Sequence, residues 1–199
     1  MQLERNQFTL GDQAGFLWTW WKGDPLPPLP PLSDFAAEEA TDIPTLATLM
    51  ECAPAEVTKL LQKGHRPYLA RLGTVPVAVG WSAIGEAEFG GGRVFFHVPP
   101  LNRYLYYFIT RPEWRGQGMY PRLLQYILTH ESAENERFWI VHQRENIASQ
   151  RGIARAGFRV ASKVYFLNNG KLAFLPPPEE IERARAASTL FGLPLLENK

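Results

Sequence analysis

The residues best suited to chemistry are Arg115-Gly116-Gln117-Gly118-Met119-Tyr120. Before them runs Tyr104-Leu105-Tyr106-Tyr107-Phe108-Ile109-Thr110, a β-branched and aromatic segment fit for a strand. After them, Met119, Leu123, Leu124, Ile127 and Leu128 recur at helical spacing. A glycine-punctuated loop between a strand and an amphipathic helix is suited to holding phosphate. Glycine lets the backbone approach closely, and the first helical turn offers unpaired N–H groups and a positive dipole end. A phosphate-bearing cofactor is therefore the first expectation. No Lys-Ser or Lys-Thr follows the loop, so it does not match the nucleoside-triphosphate pattern, and the dinucleotide pattern fails for want of an early strand and a third aligned glycine. None of the four histidines pairs at metal-ligand spacing, so no metal site is expected.

The elements that must position this loop can be read along the chain. Phe35–Ala40 suits a strand, and Asp42 caps a helix with Leu46, Leu49 and Met50 on its apolar face. A second helix is predicted over Pro54–Gln62 and is closed by Gly64. Strands are expected at 67–72 and 75–84, joined by Gly73-Thr74, and at 93–98. Beyond the helix over 119–131, Phe138–His142 reads as a strand. Asn146 caps a helix to about residue 156, Gly157 stops it, and 159–167 with 172–175 forms a last hairpin. Pro176-Pro177-Pro178 ends the sheet, and a C-terminal helix follows with Ile181, Ala184 and Ala187 inward. Residues 1–34, with Phe16-Leu17-Trp18-Thr19-Trp20-Trp21 and five prolines from Pro25 to Pro31, read as an attached arm whose tryptophans pack on the main domain. The expected organisation is this arm, a domain over 35–176 and a helical extension over 177–199.

Composition narrows the function classes. The chain has 199 residues, 45% of them apolar and 21% charged, with a formal net charge of +1. One domain with decorations is expected at this length. The charge balance gives no general attraction to nucleic acid, and none is expected as a partner. The single cysteine, Cys52, cannot form an intrachain disulfide, and it sits in an apolar helical pattern that suits a buried thiol. A cytoplasmic protein without a secretion signal or transmembrane segment is expected.

The loop Pro112-Glu113-Trp114-Arg115-Gly116-Gln117-Gly118, followed later by Asn146, Ser149 and Ala156-Gly157-Phe158, resembles the GNAT (GCN5-related N-acetyltransferase) superfamily over roughly residues 35–176. The resemblance implies an α/β fold with a mixed sheet of six or seven strands and helices on both faces. Within it, residues 104–110 and 137–142 run parallel and diverge at their C-terminal ends. It also implies an N-acyltransferase moving an acetyl or other acyl group from acetyl-CoA or another acyl-CoA to an amine of a small molecule or peptide, with a homodimer as one assembly. On that resemblance the cofactor site comprises Phe108, Ile109, Thr110, Arg115, Gly116, Gln117, Gly118, Met119, Tyr120, Asn146 and Ser149. The backbone of 117–120 cradles pyrophosphate and that of 108–110 pairs with the pantetheine arm.

Two positions depart from the pattern. Tyr120 stands where Gly or Ala is usual, and Ile153 stands where many members carry the tyrosine that protonates the leaving thiolate. Tyr120 is expected to pack on the domain. An amine nucleophile must lose a proton near the time of attack. Glu86 and Glu88, at alternating positions on one face, are the expected bases, with His142 at the end of its strand as runner-up; His97 is a weaker candidate. Two alternatives stay open: a CoA-binding module with a degenerate site, and an acyl carrier protein donor received by Arg111, Arg115, Arg122 and Arg144.

Overall fold

The computed structural model describes residues 10–196. Ten strands and five α-helices are formed among these residues: β1 (Leu10–Trp21), β2 (Phe35–Glu39), α1 (Ile43–Met50), α2 (Pro54–Gln62), β3 (Arg66–Leu72), β4 (Val75–Ala83), β5 (Gly85–Phe89), β6 (Val94–Val98), β7 (Asn102–Thr110), α3 (Met119–Glu131), β8 (Arg137–Gln143), α4 (Ile147–Ala156), β9 (Arg159–Leu167), β10 (Leu172–Leu175) and α5 (Ile181–Phe191). Eight strands make one sheet in the order β10-β9-β1-β8-β7-β4-β3-β2, and β5 pairs with β6 separately. The mixed α/β architecture expected from the sequence is present, with eight strands in the main sheet rather than six or seven.

Alternation along the strands divides the core between two faces. Trp18, Trp20, Leu105, Phe138 and Ile140 pack with α3 and α4 on one face. Leu17, Tyr104 and Trp139 pack with α5 and the β5–β6 hairpin on the other, where Leu69, Val79 and Trp81 also meet α1 and α2. Asp42 caps α1, its Oδ1 accepting the backbone N–H of Thr45 at 3.2 Å.

The largest departure lies in the expected N-terminal arm. Leu10–Trp21 is not laid over the domain. It is a strand inside the sheet, antiparallel to both β8 and β9. Phe16–Trp21 has no clean polar–apolar alternation because such a strand is covered on both faces, and a continuous apolar run looks the same in an aromatic arm. The proline-rich segment that follows does lie on the helices: Gln125 of α3 donates to the Pro27 carbonyl at 2.8 Å, and Arg122 donates to that of Pro30.

Where β1 ends, Asp24 accepts two hydrogen bonds from the Arg183 guanidinium, each 2.7 Å, and one from the Trp21 backbone N–H. The same guanidinium lies 4.6 Å from the Trp21 ring centroid. Burial alone would raise the Asp24 pKa, but the hydrogen bonds from Arg183 and Trp21 and the charges of Arg183 and Arg159 outweigh it and hold the carboxyl below its usual 3.8. A depressed folded pKa contributes stability above the unfolded value and loses it as pH falls through the folded one. Asp24→Asn should therefore lower the melting temperature at pH 7, and the gap to wild type should narrow once the pH falls below 3.8. Melting curves in both pH ranges check this; an equal gap in both would refute the linkage.

Candidate active site

The site is built where β7 parts from β8. The two strands run parallel and pair from Asn102–Arg137 to Leu105–Ile140, then separate, although β7 continues to Thr110 and β8 to Gln143. Beyond Leu105, β7 therefore has one edge unpaired with β8, and an extended chain can add to such an edge by backbone hydrogen bonds.

On its other edge β7 carries a bulge. Trp81 pairs with Tyr106 and Val79 with Ile109, so two steps on β4 face three on β7. Tyr107 absorbs the extra residue with φ 55, a left-handed conformation costing about 1–3 kcal/mol for a non-glycine residue. Opposite the bulge stands Gly80. A Cβ there would lie 2.1 Å from Cε1 of Phe108, so only glycine leaves room for that ring.

A cavity of about 660 Å³ opens on the α3–α4 face. Its lining includes Phe108, Ile109, Thr110, Arg115, Gly116, Gly118, Met119, Tyr120, Asn146 and Ser149. The structure thus brings together every cofactor-site residue expected from the sequence except Gln117, whose side chain turns back to donate to the Glu113 carbonyl at 3.0 Å. Gly116 and Gly118 have φ of 76 and 78, which is the physical need for glycine at both positions, and Gly118 is the N-cap of α3. Arg115 is exposed and donates from Nε to the Thr110 carbonyl at 3.1 Å. Asn146 acts as a helix cap, its Oδ1 accepting the Ser149 N–H at 3.0 Å.

Tyr120 lies with its ring centroid 5.0 Å from that of Phe108. It also rests on Gly152, where an added Cβ would come within 2.4 Å of its Cδ1. Burial pushes its phenol pKa well up, with partial relief from Ser149. Ile153 is fully buried in the core. Six lining residues escaped the sequence reading: Trp114, Pro121, Ala148, Gly152 and the arginines Arg151 and Arg155. The two arginines stand four residues apart on the Asn-capped helix, and that spacing was the available signal.

A second cavity of about 420 Å³ lies on the other face, among α2, the β5–β6 hairpin and β7. It is lined by Glu86 and Glu88 as well as Tyr104, Tyr106, Tyr107, His65, Lys59 and Lys63. Because the bulge interrupts alternation, the adjacent Tyr106 and Tyr107 both face this cavity while Phe108 faces the first. Glu86 is exposed and lies 3.1 Å from His97 Nδ1 across the hairpin. His142 is not brought to these carboxylates. As an even-numbered residue of β8 it shares a face with Phe138 and Ile140, stacks on Phe16 at 5.4 Å, and lines neither cavity. Burial lowers its pKa, partly offset by the Gln143 carbonyl 2.8 Å from Nδ1, and its Nε2 is buried without a partner among the described residues. Among the described residues no group of three His, Cys, Asp or Glu side chains is arranged to hold a metal ion, and no helix is long and apolar enough to cross a membrane.

Comparison with protein-family models gives no match, and no curated protein sequence matches either. Solved structures do. An acetyltransferase of the GNAT family from Colwellia psychrerythraea superposes with a TM-score of 0.52 at 15% identity, over 78% of this chain and 54% of that one. A GCN5-related N-acetyltransferase from Kribbella flavida gives 0.53 at 15% identity, over 79% and 58%. RimL, a ribosomal L7/L12 alpha-N-protein acetyltransferase in complex with coenzyme A, gives 0.50 at 18% identity, over 71% and 91%. The chain spans little more than half the length of the first two. At these identities the likeness concerns the backbone, and with the parting of β7 from β8 it establishes that this chain has the GNAT fold.

Proposed function

We propose that the protein is an N-acyltransferase that takes an acyl group from acyl-CoA and delivers it to an amine. The observation carrying this reading is that two cavities flank β7 where it leaves β8, one reaching the glycine loop and the other bordered by carboxylates and tyrosines. In this reading the N–H groups at the start of α3 receive the pyrophosphate, and Arg151 and Arg155 add positive charge from α4. The unpaired edge of Phe108–Thr110 holds the pantetheine arm in extended form. A backbone N–H at the bulge polarises the thioester carbonyl and stabilises the oxyanion that forms on attack. The donor supplies the activated thioester; the chain supplies alignment and charge.

The second cavity receives the acceptor. Glu86 and Glu88 attract an ammonium group to its mouth, while the aromatic walls suit an apolar or cationic body. With Ile153 buried, thiolate leaves without a tyrosine at that position; a thiol pKa only modestly above neutral makes this tolerable.

An acyl carrier protein would need a free basic patch to receive it, and the four candidate arginines already have partners. Arg111 and Arg144 lie near Glu113 and Glu145, at 3.9 and 3.3 Å, and Arg115 and Arg122 are engaged with backbone carbonyls. These partners favour CoA as the donor. The test is a binding and turnover screen of acyl-CoAs and acyl carriers against a panel of small amines and peptide N-termini. Saturable turnover with an acyl-CoA is expected. Saturable CoA binding with no turnover of any amine would replace this reading with that of a cofactor-binding module.

A further inference from the structure

We propose that Tyr106 and His65 form a proton relay from the acceptor cavity, Tyr106 taking the proton of the amine and passing its own to His65. The inference rests on the acyltransferase reading above. Its geometry stands on two contacts: His65 Nδ1 lies 2.6 Å from the Tyr106 hydroxyl, and Nε2 lies 3.2 Å from the Glu86 backbone carbonyl. A carbonyl only accepts, so Nε2 must carry a hydrogen. A neutral imidazole then has Nδ1 free to accept, and the Tyr106 O–H must be the donor. The proton on the phenol thus already points at the base.

Position favours the relay. Tyr106 is the first residue of β7 beyond the last pairing with β8, immediately before the bulge, and it lines the acceptor cavity. His65 is 5% exposed at the entry to β3, its ring edge-on to that of Tyr106 at 87°. The charged and titratable groups facing the pair are Glu56 and Lys59 from α2, Lys63 at its C-cap, Glu86 and Glu88 from β5, and Tyr104 and Tyr107 from β7. His97 of β6 reaches them through Glu86. Burial holds the His65 pKa below 6.5, opposed in part by the Glu86 carbonyl and, more weakly, by that of Ile84, with the charge of Lys63 adding to the lowering, so the imidazole is neutral at pH 7 and able to accept.

The step balances as follows. A substrate ammonium gives one proton to Tyr106 Oη while the phenol proton moves to His65 Nδ1, leaving a neutral amine and an imidazolium. The amine nitrogen attacks the thioester carbon, forming the N–C bond and an oxyanion. Collapse restores the carbonyl and breaks the C–S bond, the electron pair leaving on sulfur. The excess proton of the new amide nitrogen passes to the thiolate, and His65 returns its proton to solvent.

Tyr106 is the group that meets substrate; His65 acts through it. The experiment measures kcat/KM against pH for wild type, His65→Asn and Tyr106→Phe with the best acyl-CoA and amine pair from the screen. Melting temperature and acyl-CoA dissociation constant are measured alongside. Wild type should lose activity as pH falls through an inflection below 6.5. Both variants should fall by about 10²–10⁴-fold at pH 7.5 and lose that inflection, with acyl-CoA affinity retained. Variants that keep the wild-type rate and acidic limb overturn the relay and leave acyl transfer standing. A wild-type protein that binds acyl-CoA but acylates no amine overturns the acyltransferase reading, and the relay with it. If His65→Asn fails to fold, Tyr106→Phe decides alone, because it removes one oxygen and keeps the ring.

Discussion

Tyr120→Ala is expected to lower the melting temperature by about 5–15 °C while changing acyl-CoA affinity much less. The ring is a wedge: it packs 5.0 Å from Phe108 on one side and occupies the space that Gly152 leaves on the other. Deleting it opens a void between β7 and α4. Full removal of a buried aromatic costs about 3–5 kcal/mol, and the ring's partial exposure reduces this to about 2–4 kcal/mol. For a protein of this size each kcal/mol corresponds to roughly 2–4 °C. Affinity should suffer less because pyrophosphate recognition in this reading uses backbone N–H groups that the substitution retains. Comparing thermal melts with acyl-CoA titrations separates the roles. A variant of unchanged stability with sharply weakened acyl-CoA binding would mean that Tyr120 holds the cofactor and not the fold.

A larger loss, about 3–5 kcal/mol, should follow Glu131→Ala. Glu131 is 1% exposed at the last turn of α3, where its carboxylate accepts from the Arg103 guanidinium and, at 2.8 Å, from the Tyr68 hydroxyl. Arg103 is itself buried. Removing the carboxylate strands a guanidinium out of water, and that uncompensated charge dominates the effect. The joint replacement Arg103→Met with Glu131→Leu should recover most of the loss, because a buried ion pair and a well-packed apolar pair are often close in stability. Urea denaturation of the single and double variants gives the numbers. A loss under about 1 kcal/mol for Glu131→Ala would show that water reaches the site. The network ties the C-terminal end of α3 to β3 and β7, and the other end of the same helix carries the glycine loop. Its failure should therefore also loosen the cavity beside that loop.

The cavity beside the glycine loop was legible in sequence because its parts are local. Gly116 and Gly118 need positive φ, Asn146 caps its own helix, and Gly157 ends it; each signal lies within a few residues of its consequence. The boundaries of α2 and α4, at 54–62 and 147–156, follow from the same local punctuation. Local signals also fixed Tyr120 and Ile153 as departures from the pattern, though not what surrounds them.

Only the tertiary structure decided where β1 goes. A run of aromatic residues records that both faces are covered and says nothing of the neighbours, which here are supplied by β8 and β9, more than a hundred residues away. The same holds for the second cavity. His65 stands at the start of β3, Tyr106 in mid-strand and the Glu86 carbonyl in a hairpin, and no spacing along the chain links them. Strand alternation would also have put Tyr106 and Tyr107 on opposite faces, until pairing with β4 inserted one extra residue and turned both to the same cavity. The sequence by itself determined the glycine loop, the helices that frame it and the α/β class, because those rest on backbone conformations set by neighbouring residues. Sheet order, the bulge and the His65–Tyr106 pairing rest on contacts between distant strands, and these exist only once the sheet has assembled.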